Sequence, residues 1–249
     1  MEIGRLSVKC LIACLALAGS ALAWDTAPHQ KITQAALDSL PAKLRSRLGL
    51  EAVTLGQLYC MLPDRYLEME KYRFVRKSDG PKSADEIRAY CVRPDGEAVH
   101  SASFRREEDL ASVIFLFDGI LRSLSEDRTA DAAKYMGTLA HFVEDSLSPP
   151  HSAVEFIDMH GVIEQSVPTF SLAGRPARPL AAHVIEAAEA LLDRCYAAAE
   201  QNRKDLTLMV TAAKAGDEQT LNRFRLRAGR AAAELLADVY CTLLEMASY

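Results

Sequence analysis

The segment from Thr129 to His151 constrains this 249-residue chain more than any other. Ala132, Tyr135, Met136, Leu139, Phe142 and Val143 recur at helical spacing, which predicts a helix over Thr129–Leu147. His141 and Asp145 lie one turn apart on that helix, so their side chains can reach the same point. Pro149 and Pro150 then end the helix and let His151 turn back toward the same space. His160 and Glu164, in HGVIE, repeat the i, i+4 spacing shortly afterwards. As an exposed ion pair they would contribute only about 0.3–0.5 kcal/mol; their closeness to the first block favours a shared role. Burying a carboxylate among imidazoles is costly without a compensating cation. Imidazole and carboxylate together suit zinc or another borderline divalent metal.

Helical periods dominate the rest of the chain. HQKITQAALDSL places Ile32, Ala35, Ala36 and Leu40 on one stripe that Pro41 stops. Between Phe104 and Leu124, Leu110, Val113, Ile114, Phe117, Ile120, Leu121 and Leu124 keep the same period. Two alanine-rich helices are predicted over about Leu180–Asn202 and Gln219–Met246, with His183 an ordinary member of the first. Arg105–Asp109 reads as a solvated helix start. Lys71–Val99 is polar, carries Gly80, Pro81 and Pro94–Gly96, and reads as a loop. No stretch alternates with period two, and no linker or repeat divides the chain. The predicted fold is an all-α, single-domain multi-helix bundle over residues 24–249.

Residues 1–23 read as a secretory signal peptide: Arg5 and Lys9, an apolar run from Leu11 to Ala18, and Ala21-Leu22-Ala23 as an A-x-A cleavage site. That run is too short to span a membrane. Cleavage would leave Trp24, the single tryptophan, as first residue, with His29 close behind. A free α-amine has a pKa of about 8, and its neutral form can ligate a metal beside the Trp24 carbonyl. A secreted or periplasmic location follows. Without Arg5, Lys9 and Glu2, 27 basic residues face 33 acidic ones, a net charge of −6. That balance gives no general attraction to polyanions or anionic membranes. Cys60, Cys91, Cys195 and Cys241 remain, with three connectivities open to them. Cys60–Cys91 and Cys195–Cys241 are the expected disulfides; buried free thiols are the alternative.

Taken in order, these residues resemble the zinc-dependent phospholipase C and S1/P1 nuclease family. The likeness runs from Trp24 to about Glu164. Its pattern is a Trp after the cleavage site, then His29, Asp64 in MLPDRY, His100 in AVHSASF, H-x3-D-x5-H at His141, Asp145 and His151, and H-x3-E at His160 and Glu164. Asp85, Glu86 and Asp95 lie in the same region as Asp64 and could take its place. One position departs: the family often carries glycine where this chain has Glu144, which adds a negative charge beside the cluster.

The resemblance implies a bundle enclosing a trinuclear zinc site. Asp64, His100, His141 and Asp145 would hold one ion, Trp24 and His29 a second with Asp145 bridging, and His151, His160 and Glu164 a third. It implies a phosphodiesterase that uses zinc-bound hydroxide, since zinc lowers the pKa of bound water from about 15.7 toward 7. Asp64 would be the catalytic carboxylate that orients the attacking water. Apart from the resemblance, Tyr66 and Phe74 read first as loop anchors and core, and otherwise as candidate linings for a substrate pocket. Glu164, where nucleases of the family typically carry Asp, points to phospholipase C-like hydrolysis of glycerophospholipids. The alternatives are an S1/P1-type nuclease releasing 5′-nucleotides from single strands, and a non-catalytic, zinc-stabilised helical binding protein. The expected partner is a phosphodiester substrate, phospholipid or single-stranded nucleic acid; no transmembrane segment and no protein partner are inferred.

Overall fold

The computed structural model describes residues 26–71, 83–153 and 160–248, and among these the chain is all-α. The helices are α1 Thr26–Ser39, α2 Ala42–Arg45, α3 Glu51–Gln57, α4 Leu62–Lys71, α5 Asp85–Cys91 and α6 Arg106–Ser125. They continue as α7 Thr129–Leu147, α8 His160–Ile163, α9 Val184–Lys204, α10 Leu206–Ala215 and α11 Glu218–Met246. Short 3-10 turns at Tyr59–Met61 and Pro149–His151 lead into α4 and out of α7. Among the described residues no helix is long and apolar enough to cross a membrane.

Helix α7 is the axis of the bundle. Every residue from Tyr135 to Leu147 is buried, because α6, α11, α3, α9 and the Tyr59–Met61 turn all pack on it. Gly137 permits the closest of these approaches. A Cβ there would stand 2.4 Å from the carbonyl carbon and oxygen of Tyr59. That close packing brings the next carbonyl, of Cys60, over α7 to accept a hydrogen bond from His141 Nδ1 at 2.9 Å.

The predicted helix boundaries hold for α1, α6, α7, α9 and α11 to within a few residues. Three readings are corrected. The polar stretch Lys71–Val99 contains α5, whose inward stripe is only Ile87 and Cys91, too few apolar residues to show a period. Helix α10 lies between the two alanine-rich helices; Gly216, at φ +66°, ends it and Asp217 caps α11 by accepting from the Thr220 N–H at 3.0 Å. Asp109 is not a solvated start residue. It is buried and accepts from the Ser103 N–H and hydroxyl, both at 2.8 Å, and from the Tyr196 hydroxyl at 2.7 Å.

The expected disulfides are also corrected: Cys60, Cys91, Cys195 and Cys241 are free and buried. Cys60 belongs to the main core, whereas Cys91 belongs to a separate cluster with Leu62, Tyr66, Ile87 and Val92. Cys60 Sγ donates to the Gly56 carbonyl within its own turn, and Cys91 Sγ meets the Thr138 hydroxyl. Cys195 and Cys241 fill the main core from α9 and α11. Burial pushes the Cys91 thiol up to about 12 and Cys241 to about 11, so these sulfurs act as small apolar side chains with little thiolate character.

Replacing Gly137 by Ala is expected to lower stability by about 1–3 kcal/mol through overpacking against the Tyr59 backbone. A urea unfolding midpoint unchanged by the substitution would show that the helix–turn contact is looser than this geometry requires.

Candidate metal centre

A helix buried on all sides must account for each polar side chain it carries. On α7, Thr138 meets Cys91 Sγ, and the Ser146 hydroxyl donates to the Phe142 carbonyl and accepts from the Ala102 N–H. Glu144 accepts from the Thr33 hydroxyl at 2.6 Å and from His29 Nδ1 at 2.5 Å. His141 donates to the Cys60 carbonyl. Asp145 is the exception: both carboxylate oxygens are buried and neither makes a hydrogen bond.

Four imidazoles surround that carboxylate. His29 Nε2 is 3.5 Å from Oδ1; His141 Nε2, His100 Nδ1 and His151 Nε2 are 3.2, 3.3 and 3.5 Å from Oδ2. His29 Nε2 and His151 Nε2 are themselves buried without a hydrogen bond. These atoms stand too far apart or too poorly aligned to bond to one another, at spacings that suit a shared cation.

Each imidazole arrives from a different element. His29 and Thr33 occupy successive turns of α1 and both face Glu144. The His29 and His141 rings stack with centroids 4.4 Å apart. His100 rides on the segment leading into α6, fixed by the Val99 N–H to the Cys91 carbonyl and the Ala102 N–H to Ser146 Oγ, both at 2.8 Å. The two prolines of the Pro149–His151 turn return His151 toward Asp145, as their position in the sequence predicts. His160 Nδ1 lies 2.7 Å from a Glu164 oxygen, the Ser148 hydroxyl donates to the other Glu164 oxygen, and His151 Nε2 is 3.7 Å from it.

The ligand atoms fall into four overlapping groups, each within 4.8 Å: His29, His141 and Asp145; Asp64, His100 and His141; His100, Asp145 and His151; and His151, His160 and Glu164. Each group can hold a metal ion. Of the acidic candidates near the first loop, Asp64 alone joins a group. Its Oδ1 is 3.0 Å from His100 Nε2 and 3.5 Å from His141 Nε2, while Asp85, Glu86 and Asp95 are exposed. Tyr66 is buried in the core formed with Leu62 and Ile87, and its hydroxyl accepts from Arg88 at 2.8 Å. His183 stands apart at the N-terminus of α9. Trp24, Phe74 and the segment 1–23 lie outside the described residues.

Two second-layer partners went unread in the sequence. Glu144 is not a stray charge. It holds the Nδ1 proton of His29 and so leaves Nε2 as the free ligand atom, and the Cys60 carbonyl does the same for His141. The sequence places Glu144 next to Asp145, but its contacts with His29 and Thr33 span more than a hundred residues and no local pattern marks them. Nothing in the sequence marks the Cys60 carbonyl.

The charges are strongly coupled. Burial opposes the charged form of His141, but Asp145 and Asp64 outweigh it and raise its pKa well above the usual imidazole range. Burial likewise opposes ionisation of Asp64, and the His141 and His100 imidazoles outweigh it and hold it well below the usual carboxylate range. His151 is lowered, chiefly by burial, and Glu144 is raised, chiefly by burial. Without an ion, a proton on His141 is the nearest available cation for Asp145; a bound metal must displace it.

Comparison of the chain with protein-family models, with curated proteins and with solved structures found no match.

Glu144→Ala should weaken zinc binding about 10–100-fold, read by competition with a chromophoric chelator; wild-type affinity would show that the His29 orientation does not depend on this carboxylate. Because the raised His141 pKa favours its proton, zinc affinity should fall as pH drops. The fall is about tenfold per pH unit for each proton displaced, and isothermal titration across about pH 5.5–8, a window that spans the usual imidazole pKa of about 6.5, measures it.

Proposed function

We propose that the chain is a zinc-dependent phosphodiesterase of the phospholipase C-like type, hydrolysing glycerophospholipids at a trinuclear site. One observation carries the reading: eight side chains, those of His29, Asp64, His100, His141, Asp145, His151, His160 and Glu164, converge in overlapping groups, and the Asp145 carboxylate among them is buried without a hydrogen bond. They are the residues of the resemblance, Trp24 aside, and the donor set of imidazole nitrogen and carboxylate oxygen fits zinc. The exported location, the Trp24 amine as a ligand and membership of the phospholipase C and S1/P1 nuclease family belong to the same proposal.

Divalent ions bound there would lower the pKa of coordinated water toward about 7 and neutralise charge on a phosphoryl group. The rest falls to the side chains. Asp145 presents Oδ1 toward His29 and Oδ2 toward His100, His141 and His151, so one carboxylate serves two neighbouring positions. His29, His141 and Asp145 are fully buried, which fixes them and excludes bulk water. The open side is formed by His100, His151 and His160, whose side chains are 22%, 13% and 12% exposed. A phosphodiester would approach over these three. Asp64 lies beside His100, is held as a carboxylate by its two imidazole neighbours, and would orient an attacking water by accepting a hydrogen bond from it. Glu164 rather than Asp at the last position favours the lipid substrate over nucleic acid.

The test is a parallel assay of zinc-loaded protein on phosphatidylcholine in mixed micelles and on single-stranded DNA. His151→Ala serves as the blank, and Asp145→Asn is expected to lose more activity than any single histidine change. Phosphocholine release is the expected result. Release of 5′-nucleotides would install the nuclease reading instead, and silence on both substrates with metal bound would leave a non-catalytic, zinc-stabilised binding protein.

A further inference from the structure

The peptide between His160 and Glu164 is gripped by a side chain far away in sequence. Arg225, on α11, is only 1% exposed. Its Nε donates to the Ile163 carbonyl at 2.9 Å and its Nη2 to the Val162 carbonyl at 2.5 Å. Its Nη1 donates to Glu218 at 2.7 Å and to Asn222 Oδ1 at 3.0 Å. A guanidinium buried without partners would cost several kcal/mol, so these bonds fix its position.

Helix α8 needs such a grip. Its four residues, His160–Ile163, are too few to form a stable helix alone, and its last carbonyls have no further turn to satisfy them. Arg225 supplies the missing donors and places a cation at the helix C-terminus, where it is favourable. Ile163 then packs with Met209, Leu221 and Phe224 from α10 and α11. One turn beyond Arg225, Gly229 admits Val167: a Cβ there would meet Val167 Cγ1 at 2.7 Å. Lys31 holds the Val167 carbonyl from α1 at 2.6 Å. The chain is therefore anchored on both sides of Glu164.

We propose that Arg225 is the positioning residue of the His151–His160–Glu164 group, setting α8 so that His160 and Glu164 face His151. The inference rests on the metal-site reading above. None of the four bonds of Arg225 involves His29, Asp64, His100 or His141. The effect of losing Arg225 is confined to one ion of the set.

The experiment is zinc titration of the purified full chain, with zinc per chain measured by mass spectrometry after gel filtration and affinities by chelator competition. Wild type is compared with Arg225→Met, Arg225→Lys and His160→Ala, each checked for helicity by circular dichroism. In Arg225→Met one binding step, the same step lost in His160→Ala, should weaken about 10–100-fold while the others stay as in wild type. Arg225→Lys should be intermediate, since an ammonium cannot fork onto two carbonyls. A folded Arg225→Met with every step at wild-type affinity overturns the proposal, as does equal weakening of all steps. If Arg225→Met does not fold, Arg225→Lys decides by the same two readings. A wild-type chain that binds no zinc removes the metal-site reading itself, whereas full zinc binding in both wild type and variant removes only the role of Arg225.

Discussion

The Asp145 carboxylate dictates most of what surrounds it. It sits on a helix with no solvent face, carries a charge, and accepts no hydrogen bond. A folded chain tolerates such a group only where a cation completes the environment, because desolvation of an isolated carboxylate outweighs ordinary packing gains. Four imidazoles approach it at 3.2–3.5 Å without bonding to it. The arrangement is one that could hold metal ions beside that carboxylate. The fold serves this constraint by making α7, which carries His141 and Asp145, central and bringing the other candidate ligands to it from outside.

The second layer shows how rigidly the shell is set. Each fully buried imidazole has its outer nitrogen occupied: His29 by Glu144, His141 by the Cys60 carbonyl. Glu144 is tied in turn to Thr33, so α1 and α7 are joined by one polar chain inside an apolar interface. Such networks are stabilising only when complete, since a half-satisfied buried polar group costs more than an apolar one. Glu144, beside Asp145, thus has a definite structural task.

Burial is graded across the centre. The His29–His141–Asp145 end is closed, and the His151–His160–Glu164 end reaches the surface through a four-residue helix held by Arg225. The closed end is built from long helices that pack for their own reasons. The open end depends on single side chains from α1 and α11, Lys31 and Arg225, that bond main-chain carbonyls. The closed and open groups of candidate ligands are thus supplied by different parts of the same bundle.

The long helices were legible in the sequence because their apolar residues repeat at helical spacing, and so were the i, i+4 pairs and the proline turn before His151, because these are local geometry. Helix α5 was not legible, since two inward residues make no period. The disulfides expected from counting cysteines were absent because pairing depends on how helices pack, and Cys60 and Cys91 were placed in separate cores. The sequence also could not choose Asp64 over Asp85, Glu86 or Asp95; burial beside His100 and His141 did. By itself, then, the sequence determined which residues can ligate a metal and that the chain is helical, for both follow from residue type and short-range spacing. Which of them meet, which nitrogen each imidazole presents, and that Glu144 and Arg225 hold them there were decided by tertiary structure alone. The bonds by which Glu144 holds His29 and Arg225 holds the Ile163 carbonyl join residues 115 and 62 positions apart, and no local period encodes them.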